Sequence, residues 1–181
     1  MRERRYYTPD EGVEWGKSVV IAIIIAFLIK TFIFNSTLVM GSSMEPTLHP
    51  SDRLFAEKIS IYLKKYERGD IIVLKAPDED KKDYIKRIIG LEGDKVEIKD
   101  GQVYINNELL LEDYILEDSY THSYGEISWL VPEGEVFVLG DNRDDGASKD
   151  SRVFGTISVD SIKAVTCFRY YPFDKSFGKI N

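Results

Sequence analysis

With 181 residues, 43% of them hydrophobic and 12% aromatic, the chain has room for one folded domain plus an appendage and is too rich in large apolar groups to be disordered. The net charge of −7 is uneven: residues 1–30 carry +1 and the remainder −8, so the folded part lacks the basic stripe that nucleic acid demands. A single cysteine excludes a disulfide framework, and two histidines beside it leave no cluster of zinc-ligand spacing.

From Ser18 to Phe34 runs a 17-residue stretch that is apolar apart from Ser18, Lys30 and Thr31. That is the short end of what spans a bilayer, with Lys30 able to snorkel to the headgroups and Trp15 at the opposite interface. The run reads as a retained anchor, with a buried core helix or a cleaved signal as the alternatives, and no Ala-x-Ala site follows to support a cleaved signal. Arg2, Arg4, Arg5 and Lys17 precede it, and after Lys30 no Lys or Arg occurs until Arg53. The positive-inside bias then predicts a cytoplasmic segment over 1–17, a single transmembrane helix over 18–35, and a domain over 36–181 on the outer side of the cell membrane.

Beyond the anchor the apolar period becomes two. Leu54–Ile59 predicts a strand, and Ile71–Leu74 a stronger one entered through the turn Arg68-Gly69-Asp70. Asp78–Lys82 reads as a solvated charged loop, followed by the strand Tyr84–Gly90. Val96–Ile98 and Val103–Ile105 around Lys99-Asp100-Gly101 predict a hairpin, and Trp129–Val131 with Val136–Leu139 around Pro132-Glu133-Gly134 a second one. Ile162–Tyr171 closes the domain, with Cys167 expected to be a buried, inert thiol. The fold class expected is mainly β, an antiparallel sandwich or barrel-like sheet structure behind one N-terminal helix.

Two residues stand out as a source of chemistry. Ser43 lies in Gly41-Ser42-Ser43-Met44-Glu45-Pro46, a turn-rich stretch nine residues past Phe34. A serine hydroxyl needs a base at neutral pH. His49 and His122 sit in turn and loop sequences without a companion Asp at a telling place, and read as surface histidines. Lys86 is the alternative: strand alternation puts it on one face with Tyr84 and Ile88, and Ile85, Arg87 and Ile89 on the other. Apolar neighbours would disfavour its ammonium and bring its pKa towards neutrality, whereas on spacing alone it reads equally as an exposed strand lysine. Gly140–Arg152, dense in Asp, Asn, Arg and Ser, reads as a loop bonded to itself. It fails the calcium-loop spacing, since Arg143 falls at the third position and no Glu at the twelfth.

Taken in order behind an anchor, Ser43-Met44-x-Pro46-Thr47, Arg68-Gly69-Asp70, Tyr84-Ile85-Lys86-Arg87-Ile88-Ile89-Gly90 and Gly140-Asp141-Asn142-Arg143 with Asp150-Ser151-Arg152 resemble bacterial type I signal peptidases of the compact Gram-positive kind. The resemblance implies antiparallel coiled sheets, a Ser–Lys dyad working without metal or cofactor, and preprotein signal peptides cut after small residues. It implies Ser43 as nucleophile, Lys86 as general base, Ser148 as a hydroxyl positioning the lysine, and Asp150 and Arg152 as supports. Val39, Met44, Leu48, Tyr84 and Ile85 fall where that family lines its small-residue pockets, and Asp141, Asn142 and Arg143 among its fold residues. Gly41 stands where some relatives carry an oxyanion-hole serine, and the stretch 144–148 is about two residues longer than the common pattern. The other readings are a different Ser–Lys protease of related fold, such as a self-cleaving repressor, and a catalytically silent, membrane-tethered binding module. The first would need a DNA-binding segment, and the second leaves the paired Ser43 and Lys86 without a purpose.

Overall fold

In the computed structural model, which describes residues 9–32, 34–173 and 177–180, the change of apolar period is where helix gives way to sheet. Helix α1 spans Pro9–Phe32, and its stretch Gly12–Lys30 is apolar and long enough to cross a membrane, with none of it buried against the rest of the chain. The helix was expected to run to residue 35, but strand β1 already occupies Phe34–Leu38. Strand β2 (Arg53–Glu57) stops short of the expected Ile59, because Ile59–Tyr62 turn into the short helix α2. Strands β3 (Ile71–Lys75), β4 (Asp83–Gly90), β5 (Lys95–Lys99), β6 (Gln102–Ile105) and β7 (Glu108–Leu109) follow. Then come β8 (Ser128–Leu130), β9 (Glu135–Leu139), helix α3 (Ser151–Phe154), β10 (Ile157–Ser158), β11 (Ile162–Tyr171) and β12 (Gly178–Lys179).

The strands form two antiparallel sheets. One runs β1-β2-β11-β3-β4-β9-β10, with β12 beside β11, and the other runs β7-β6-β5-β8. The β5–β6 hairpin closes through Asp100 and Gly101, at φ 51° and 77°, the positive pair that matches strand twist. The expected second hairpin does not form. β8 pairs with β5, whereas β9 pairs with β4 and β10, so Pro132–Gly134 carries the chain from one sheet to the other. Alternation settles which side chains face a core but not which strand lies alongside. Trp129, Val131, Phe137 and Leu139 do share one core, with Ile89, Val96, Ile98, Val103 and Ile105.

Strand β9 is buried on both faces. Phe137 and Leu139 point into that inter-sheet core, while Val136 and Val138 join Ile72, Leu74, Ile88, Ile157, Ile162 and Val165 in a second one. A third cluster, Val39, Met44, Leu48, Leu54 and Ile71, fills the space under the Ser43 turn. Cys167 is half-buried rather than enclosed, with its Sγ 3.3 Å from Phe55 O. Because Phe137 is fully buried between the sheets, Phe137→Ala should lower stability by about 3–5 kcal/mol in denaturant unfolding.

Candidate active site

Strand pairing alone brings Lys86 into the interior. It lies opposite Ile72 on β3, with Tyr84 opposite Leu74, so its neighbours on that face are apolar. On the other side β9 ends with Leu139 opposite Arg87, which leaves Gly140 to leave the sheet beside Lys86. Lys86 is 3% exposed, and Nζ donates to Ser43 Oγ at 2.7 Å and lies 5.5 Å from the centre of the Tyr84 ring. Burial drives its pKa from 10.5 down to about 8; Asp150 and Asp141 pull upward, and Arg152 adds to the depression.

Ser43 is half-buried at the start of a turn that Leu48 N–H closes onto Met44 O at 2.8 Å. The turn is fastened to the loop after β9, since Asn142 N–H donates to Ser43 O at 3.1 Å and Asn142 Nδ2 to Ser42 O at 3.1 Å. Gly140 makes this approach feasible: a Cβ there would lie 2.4 Å from Ser43 O and 2.3 Å from Ser148 Oγ. Ser148 is buried beside the Asp150 carboxylate. Its Oγ makes no well-formed hydrogen bond among the described residues, to Lys86 or to any other group.

The loop does hold itself, but mostly through arginines paired beyond it. Asp150 takes Arg152 Nε and Nη2 at 2.8 Å each, accepts Gly140 N–H at 3.1 Å, and caps α3 through Arg152 N–H. Burial pushes the Asp150 carboxyl up, yet these bonds and the guanidinium charge outweigh it and hold the group below its ordinary value. Asp141 is gripped from β4 by Arg87 Nε at 2.9 Å and Nη2 at 2.7 Å, and accepts Thr47 Oγ1 at 2.5 Å. The Arg87 guanidinium lies 3.9 Å from the centre of the Tyr114 ring. Arg143 binds Glu112 through both terminal nitrogens, Thr121 Oγ1 at 2.8 Å, and Gly140 O at 2.8 Å. Arg87, Asp141, Arg143, Asp150 and Arg152 are all buried, a bidentate arrangement that stabilises only as complete pairs.

Of the other expected site residues, Val39, Met44 and Leu48 pack in the cluster under the turn with Ile85 against it, and Tyr84 is half-buried with its hydroxyl on Glu79. A hollow of about 410 Å³ beside β7 and one of about 320 Å³ beside Arg68 and Arg87 are not lined by Ser43 or Lys86. His49 and His122 are exposed, and neither bonds to Ser43. Sequence reasoning missed Glu112 and Tyr114 as parts of this region, and named Thr47 within the serine motif without its bond to Asp141. Arg87 was legible only as a cation on the face opposite Lys86, and Glu112 gave no signal in its leucine-rich run.

The family model for signal peptidase, peptidase S26, matches residues 12–171. Signal peptidase I of Bacillus licheniformis is 40% identical over 172 residues, covering 90% of each chain. Signal peptidase I T of Bacillus subtilis is 40% identical over 173 residues, 90% of this chain and 87% of that one. A crystal structure of a signal peptidase I from Enterococcus faecalis, 36% identical, covers 56% of this chain and 96% of its own with a TM-score of 0.47. The class these relatives define is a hydrolase, a serine endopeptidase. The chain belongs to the signal peptidase family, peptidase S26.

The depressed pKa of Lys86 has a stability signature. Between about 8 and 10.5 the unfolded chain holds the proton that the folded one has lost, so stability rises with pH across that window. Below it the full penalty of burying the ammonium applies, about 3 kcal/mol for a shift of this size. Lys86→Met should therefore be more stable than the parent at pH 7 by up to about 3 kcal/mol, an advantage that fades towards pH 10.5 in paired unfolding curves.

Proposed function

We propose that the chain is a membrane-anchored signal peptidase I that removes N-terminal signal peptides from preproteins, with Ser43 as nucleophile and neutral Lys86 as general base. The carrying observation is the 2.7 Å contact between Lys86 Nζ and Ser43 Oγ inside an apolar enclosure. With the amine neutral, the Ser43 hydroxyl donates. Ser43 Oγ bonds to the scissile carbonyl carbon, its proton passes to Nζ, and the carbonyl oxygen takes the negative charge. Collapse breaks the C–N bond and the lysine proton leaves with the new amine. A water then attacks the ester, gives its proton to Lys86, and the proton returns to Ser43 as the signal peptide is released.

The remaining residues act around this exchange. Asp150 and Arg152 hold the loop that packs against Lys86, and Ser148 offers a buried hydroxyl to the amine once Ser43 has reacted. Val39, Met44 and Leu48, with Ile85 against them, make an apolar floor that suits small side chains flanking the cut, and Tyr84 borders the dyad from the Lys86 face of β4. Chemistry of this kind calls for no metal or cofactor. Residues 1–17 are assigned to the cytoplasm, α1 from Ser18 onward to the bilayer as the single span, and the β domain to the outer side, on the charge bias of the flanks. Apolar residues exposed at one end of the β1–β2–β11 sheet, Leu38, Met40, Tyr171 and Phe173, fit a domain resting on lipid.

Ser43→Ala and Lys86→Ala should each abolish cleavage of a preprotein in detergent while leaving the fold intact by circular dichroism. In the parent enzyme kcat/KM should rise through an acid limb near pH 8, where Lys86 loses its proton. A Lys86→Ala enzyme that still cleaves would move the base to His49 or His122.

A further inference from the structure

The turn carrying Ser43 is held from outside by one residue at two successive peptides. Asn142 N–H donates to Ser43 O, and Asn142 Nδ2 donates to Ser42 O, each at 3.1 Å. Ser42 O belongs to the peptide whose N–H is that of Ser43. This peptide is trans, the cis bonds being Glu45–Pro46 and Tyr171–Pro172. In a planar trans peptide C=O and N–H point in opposite directions, so a donor that fixes Ser42 O also fixes the heading of Ser43 N–H. That N–H meets no acceptor among the described residues.

Glu45 N–H also donates to Ser42 O, at 3.1 Å. Two donors on one carbonyl polarise the peptide and make its N–H the stronger donor. The Asn142 amide is itself oriented, because its Oδ1 accepts Asp144 N–H at 3.2 Å. Gly41 has no side chain and open space around it, so no hydroxyl at that position can share the work.

We infer that Asn142 is a positioning residue for the oxyanion, its side-chain amide aiming and polarising the Ser43 N–H that receives the charge forming on the scissile carbonyl oxygen. The inference rests on the reading of Ser43 as nucleophile. Asn142 acts through the Ser42–Ser43 peptide and not on the reacting atoms. Its bond to Ser42 O is solvent-exposed, so losing it costs the folded state little. Loss of a whole oxyanion donor costs about 10²–10³ in kcat, and a misdirected one should cost about tenfold.

The test uses the full-length enzyme in detergent with Asn142→Ala and Asn142→Asp, the latter keeping the shape but setting an oxygen against Ser42 O. The probe is a substrate-like peptide aldehyde, whose hemiacetal with a serine carries the oxyanion. The expected result is a fall in kcat of about tenfold for Asn142→Ala and more for Asn142→Asp, an unchanged KM, and aldehyde affinity lost in the same proportion. The acid limb near pH 8 and the melting temperature should stay where they are. Parent-like kcat and aldehyde affinity in both variants overturn the inference, as does a loss carried wholly by KM or one that tracks a fall in melting temperature. Should the parent bind no aldehyde and Ser43→Ala still cleave, it is the reading of Ser43 that fails.

Discussion

An ammonium deprived of water is the constraint on which the rest of this architecture turns. Lys86 reaches the interior because strand pairing leaves its side chain no other direction, between Ile72 on one neighbour and the end of β9 on the other. Desolvation lowers its pKa to about 8 although two carboxylates pull the other way. The domain therefore carries a permanent energetic strain at neutral pH, and that strain makes the amine usable as a base. In the proposed dyad the proton acceptor for the serine would come from packing and not from histidine chemistry.

The second element is a set of buried guanidinium–carboxylate pairs surrounding the first. Arg87 with Asp141, Arg143 with Glu112, and Arg152 with Asp150 tie the segment after β9 to β4, to the loop after β7 and to α3. Such pairs add little net stability over apolar packing, but each is costly to break singly, so they define one conformation of the loop. The loop's fixed position matters because Gly140 and Asn142 touch the backbone of the serine turn directly. Lys86 and Ser43, 43 positions apart in sequence, meet at 2.7 Å, and this loop holds the serine turn through Ser42 O and Ser43 O.

Much of this could be read from the chain before any coordinates. The period-two run Ile162–Tyr171 became β11 residue for residue, and the alternation Tyr84-Lys86-Ile88 put the lysine on the right face. Short-range patterns carry such information because they follow from the pleat itself. Partnership across the fold is another matter. Nothing local ties Glu112 to Arg143 or Thr47 to Asp141, and the Trp129–Leu139 stretch read as a hairpin because both strands alternate and a turn lies between them. The two strands do face a common core, so their apolar pattern was right while their neighbours were not.

Strand β1 links the anchor helix to the serine turn, and all five of its residues pair with β2. The connection is thus a stiff spacer of about 17 Å, not a slack tether. If α1 lies in the bilayer and the exposed Leu38 and Met40 rest on its surface, the hydroxyl stands at a set reach from the point where the chain leaves the lipid. A peptide bond is then selected by where it lies relative to that point as well as by the side chains around it, and lengthening or shortening this ruler would displace the place of cleavage without altering any group that performs it.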